Sequence, residues 1–212
     1  MSRQSLAGRT SPTTIAAPSY LRFAGAGALL AGGSGFLYAL AFIVLRNDLL
    51  SALFLLLGGL FSTVALVGVY ERLRPTDASF ALLALLVSVV GALGAAIHGG
   101  YDLANTLHRP ATVPALPNAL DPRGLLTFGL TGLGLFVMAW LMGRDGRFPM
   151  GLQQLGYGLA VLLVALYLSR LVILDATNPL VVVLAVVSGV VANPAWYIWL
   201  GLSLWREPPA TD

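Results

Sequence analysis

FAGAGALLAGGSGFLYALAFIVL, residues Phe23–Leu45, is 23 residues long and carries no charge. A bilayer's hydrocarbon core takes roughly 20 helical residues at ~1.5 Å each. Five more apolar runs follow: Leu49–Tyr70, Ala78–Tyr101, Gly124–Met142, Phe148–Ser169 and Leu180–Trp205. The six range from 19 to 26 residues, lengths that soluble domains rarely carry. The expected fold is therefore all-α: a polytopic membrane bundle of six transmembrane helices over residues 23–206. Residues 1–22 read as a disordered cytoplasmic tail and 207–212 as a second short one. Phe23–Leu45 is too long for the apolar region of a cleaved signal peptide, roughly 7–15 residues.

Composition agrees. Of 212 residues, 58% are hydrophobic and only 10% charged, with mean hydropathy +0.85. Soluble domains carry about 25% charged residues. All 12 basic residues are Arg. Together with the abundant Ala, Gly, Leu and Val, this suggests a GC-rich bacterial genome. The net charge of +3 does not signal nucleic-acid binding, because the arginines are scattered through short loops rather than clustered with aromatics. The expected partners are the lipid bilayer and either another membrane protein or a second copy of the chain. Without cysteine, disulfides, iron–sulfur clusters and thiol chemistry are excluded.

Arginine placement predicts orientation. One side collects Arg3, Arg9, Arg22, Arg72, Arg74, Arg144, Arg147 and Arg206; the other has Arg46, Arg109, Arg123 and Arg170. By the positive-inside rule, both termini face the cytoplasm of a bacterial inner membrane. The loop Arg109–Pro122, with four prolines, then faces outward.

Small residues suggest how the helices meet, since lipid offers no hydrophobic drive for helix association. Gly27, Ala31 and Gly35 fall at four-residue spacing, as do Ala24, Ala28 and Gly32. Gly91, Ala95 and Gly99 repeat the pattern, and Gly129, Gly132 and Gly134 cluster in the fourth run. A weak repeat is also present: at an offset of 97, Gly27–Tyr101 matches the later half at 15 of 75 positions. Three helices per half would make this a 3+3 inverted repeat, as in several transporter folds.

Ionisable residues inside a membrane are site candidates by default. His98, Asp102 and Asn105 lie on one helix face near the end of the third run. Arg170 interrupts LYLSRLVIL (Leu166–Leu174), and Tyr38 is expected about two turns from the same surface. The expected pocket joins His98, Asp102, Arg170, Tyr38 and Asn105. Asp102 is the preferred partner of Arg170, with Asp175 second. The bland alternative is an Arg170 that snorkels to headgroups. His98 and His108 are about 280° apart around a helix and ~15 Å along it, too far for one metal site. No catalytic or cofactor-binding residue and no metal or cofactor is expected; there is no G-x-S-x-G, H-E-x-x-H or P-loop.

Asn193-Pro194-Ala195 matches the NPA signature of aquaporins, but those carry one in each half of the chain, and here the only other Asn-Pro is Asn178-Pro179. The simpler reading is a cap at Asn178 with Pro179 in the first turn, and a kink at Asn193 and Pro194, with Asn193 satisfying a freed backbone group. Tyr197 and Trp205 suit an inner-interface aromatic belt.

The segment GGLFSTVALVGVYERLRPTD (Gly58–Asp77) ends a helix in an aromatic–charge–Arg-x-Arg-Pro pattern before the next apolar run. In this the chain resembles the small six-helix bacterial membrane proteins catalogued as domains of unknown function. The resemblance implies the fold and no activity. Function is thus expected to be non-enzymatic: an accessory, sensor or ligand- or lipid-binding membrane component. The alternative is a small secondary transporter built from two inverted three-helix halves.

Overall fold

A computed structural model describes residues 18–108, 126–173, 175 and 177–206. Six helices among them are long and apolar enough to cross a membrane: α1 (Ser19–Leu45), α2 (Asp48–Leu73), α3 (Ala78–Leu107), α4 (Thr127–Asp145), α5 (Met150–Val172) and α6 (Pro179–Trp205). No strand occurs among the described residues. These six helices fit a multi-pass membrane protein. The loop Arg109–Pro122 and both terminal tails lie outside the described residues, except that Ser19–Arg22 already belong to α1.

Short turns join α1 to α2, α2 to α3 and α4 to α5. Asn47 caps α2, its Oδ1 accepting from Leu50 N at 3.0 Å, and Asp77 caps α3 by accepting from Phe80 N at 3.1 Å. Asn178 caps α6 by accepting from Leu180 N at 3.0 Å, with Pro179 in the first turn, as the sequence predicts. Gly146, at φ 72°, ends α4 in the left-handed conformation that suits glycine.

Each helix packs on its neighbours in sequence, and α6 returns to pack on α1, closing a ring. The end at which α1 begins and α6 ends is called proximal here, and the opposite end distal. The proximal half holds the large core side chains: Leu73, Met138, Leu141, Met142, Leu152, Trp196, Leu200 and Leu204 are fully buried. Much of the distal interior is small instead, with Ala39, Ala41, Ala52, Ala95, Ala96 and Gly99 buried. Glycines let the helix backbones touch there. A Cβ at Gly59 of α2 would stand 2.5 Å from the Ala96 nitrogen of α3. The small-residue pattern therefore serves packing inside the chain, as expected in a bilayer.

Three stretches widen into π-helical turns: Leu40–Leu45 ends α1, Leu126–Leu130 opens α4, and Val187–Ala192 lies in α6 directly before Asn193 and Pro194. The last has a clear cause. Pro194 has no N–H to donate, and its ring crowds the carbonyl four residues back. The wider turn makes room: Asn193 N–H bonds to the Ser188 carbonyl, five residues earlier.

Candidate functional site

The distal ends of α3 and α5 carry most of the residues singled out above. α3 runs through to Leu107, so His98, Asp102 and Asn105 lie on one continuous helix. His98 Nε2 lies 3.1 Å from Asp102 Oδ2, one turn apart, with both side chains partly exposed. Half-buried Arg170 stands in the last turn of α5. The opening turn of α4, Leu126–Leu130, packs against both α3 and α5, so it lies between the two groups. Gly129 meets the Tyr167 ring there, with a Cβ at Gly129 standing 3.1 Å from ring carbon Cγ. Half-buried Tyr38 stacks on Phe42 in α1, ring centroids 5.8 Å apart. Asp175, the second candidate partner of Arg170, accepts from the Thr177 hydroxyl at 2.7 Å and the Thr177 N–H at 2.8 Å. These bonds hold its carboxyl below the ordinary carboxylate range.

A second polar group lies at mid-span and draws on α1, α2 and α6. Tyr197 is buried and faces Ser62 of α2. It is therefore not part of an interfacial belt, unlike Trp205, which is half exposed at the proximal end. The reason is helical phase: Tyr197 lies on the face shared with buried Leu200, Gly201 and Leu204, which packs inward. Buried Ser34 of α1 packs on Gly58 of α2, where a Cβ would be 3.6 Å from the Ser34 Cβ. Asn193 makes no hydrogen bond to a freed backbone group among the described residues. Its Nδ2 points at α1, 3.1 Å from where a Gly35 Cβ would be.

A third group, at the proximal end, was not singled out from sequence. Arg72 is buried in the last turn of α2 and donates from Nη2 to the Arg147 carbonyl at 3.0 Å. Its guanidinium lies over the Phe148 ring, 4.5 Å from the centroid. Arg147 donates in return to the Arg72 carbonyl, and its Nε bonds Asp145 Oδ1 at 2.9 Å and Oδ2 at 3.0 Å. The Asp145 side chain is only 2% exposed and also accepts from Thr76 Oγ1 at 2.9 Å. These bonds tie the α2–α3 turn to the α4–α5 turn. The only sequence signal was the local density of Arg and Asp, which cannot reveal pairing across 75 residues.

No cluster of His, Cys, Asp or Glu able to hold a metal ion occurs among the described residues. No family model, curated protein or solved structure matches this chain.

Proposed function

We propose that this protein is a non-enzymatic ligand-binding or sensory component of a bacterial inner membrane. In this reading both termini are cytoplasmic and the distal end faces outward. The observation that carries it is the His98–Asp102 pair, set 3.1 Å apart at the distal end of α3. An ionisable pair near the end of a membrane helix is a site candidate by default. Arg170, across the first turn of α4, supplies the cationic side of the same region and makes Asp102 its natural carboxylate partner. A ligand held there would meet the imidazole and carboxylate of α3, with the Arg170 guanidinium beyond the first turn of α4. Such a set suits a polar headgroup or a small zwitterion.

The test is native mass spectrometry of the protein extracted from its own membrane. The expected result is a small molecule or lipid retained by the wild type and lost from Asp102→Asn and Arg170→Gln. A wild type carrying no retained species would sink the reading.

The transporter reading has its own support. Exchanging the two three-helix halves maps the ring of packed helices onto itself, and α6 is interrupted at mid-span, where transporter sites lie. Overlap of the halves about an axis in the membrane plane would favour it, and failure of that overlap would remove it.

A further inference from the structure

We propose that the cleft between α1 and α6 at Asn193 binds an uncharged, membrane-soluble molecule through a hydroxyl group. The site is separate from the distal cluster and does not depend on it.

α1 and α6 are in backbone contact through their proximal halves. A Cβ at Gly25 would stand 3.0 Å from the Gly201 carbonyl oxygen, and one at Gly32 would stand 3.0 Å from that of Pro194. One turn further, at Gly35, no α6 backbone atom comes within 4 Å of the Cβ position. Among the described residues, the Asn193 amide nitrogen alone comes within 4 Å of that Cβ position. Gly189, one turn before Asn193 on the same face of α6, has nothing within 4 Å of its own Cβ position. The close backbone contact of the proximal halves gives way there to looser packing of α1 on the π turn.

The polar atoms at this opening are underused. The Asn193 side chain is half-buried and makes no hydrogen bond among the described residues. Asn193 is the fifteenth of the 27 residues of α6, so it lies within ~2 Å of the middle of the span at ~1.5 Å per residue. Bulk water does not reach that depth, so an amide left unbonded there is costly. The backbone adds a second demand. Asn193 N–H is committed to Ser188 and Pro194 has no N–H, so a carbonyl of the Gly189–Val190 step loses its helical donor. The Asn193 amide thus lacks a partner among the described residues, and a backbone carbonyl within about one turn of it has lost its helical donor.

A hydroxyl answers both. It accepts from the Asn193 amide and donates to the freed carbonyl. The described charged side chains all lie toward the helix ends, so an ion here would have no counter-charge, and the ligand is uncharged. The route in is through lipid: Phe36, Leu37, Val187 and Val191, which flank the cleft, are exposed on the outside of the bundle. Water carries the same chemistry, and the experiment separates the two.

The experiment is thermal unfolding of the full chain in lipid nanodiscs with increasing 1-decanol, against decane at equal membrane mole fraction. Decanol should raise the unfolding temperature of the wild type saturably, and decane should not. Asn193→Leu removes the amide and should abolish the decanol response. Gly189→Leu fills the cleft and leaves the amide in place, so it should do the same even if Asn193→Leu fails to fold. Equal responses to decanol and decane in the wild type, or a decanol response that persists in Gly189→Leu, would overturn the proposal.

Discussion

Arg72 and Arg147 exchange hydrogen bonds: each guanidinium donates to the other's backbone carbonyl, although 75 residues separate them. The exchange works because Arg147 is neutralised by Asp145 and Arg72 is spread over the Phe148 ring. It ties two turns into a plate at the proximal end, beneath the large-residue core. The distal half, built on smaller residues, carries the His98–Asp102 pair.

The plate predicts the effect of removing its carboxylate. Asp145→Ala takes away the acceptor of Arg147 and Thr76 together. Breaking a fully buried pair costs roughly 3–5 kcal/mol, but the Arg147 side chain is 45% exposed, so solvent offsets part of the loss. The expected loss is about 1–3 kcal/mol, read from unfolding in mild detergent. A double-mutant cycle with Arg147→Ala should show strong coupling, and additive losses would contradict the pairing.

Glycines should divide by what they face. Gly59→Ala pushes a methyl to within 2.5 Å of the Ala96 nitrogen, where backbone must move. A loss of about 1–3 kcal/mol is expected, the usual cost of overpacking. Gly33 has nothing within 4 Å of its Cβ position. Gly33→Ala should be neutral or stabilise by up to ~1 kcal/mol through helix propensity. Matching effects at the two positions would argue against α2 and α3 being in backbone contact.

Asp175 gives a pH signature outside the membrane spans. Its carboxyl is held low by hydrogen bonds from the Thr177 hydroxyl and N–H. The contribution to the α5–α6 turn is present above the ordinary carboxylate pKa and is lost as pH falls through the depressed folded value. Thr177→Val removes the hydroxyl and keeps the N–H, so the titration midpoint should rise part of the way toward the ordinary value. A carboxyl carbon NMR titration reads this directly, and an unchanged midpoint would rule out the hydroxyl as a cause.

Orientation can be checked independently of any site. The arginine bias predicts that a reporter fused at Asp212 reads as cytoplasmic and one placed within Arg109–Pro122 reads as external. A cytoplasmic signal from that loop would invert the topology and turn the His98–Asp102 end inward.

Sequence alone determined the number of spans, their approximate limits and the cap at Asn178. Each depends on a local property: apolar length against bilayer thickness, or a side chain beside its own backbone. It also brought His98 together with Asp102, because a helix places residues four apart on one face. It anticipated a disturbance at Pro194, since a missing N–H is a property of the residue itself. It did not give the form of that disturbance, a π turn that leaves the Asn193 amide facing α1, because this depends on how the distal half of α6 meets its neighbour. Nor could it show that Tyr197 turns inward to Ser62, or that Arg72 reaches Arg147. In an apolar helix every face looks alike in sequence, so only tertiary packing decides which side meets protein and which meets lipid.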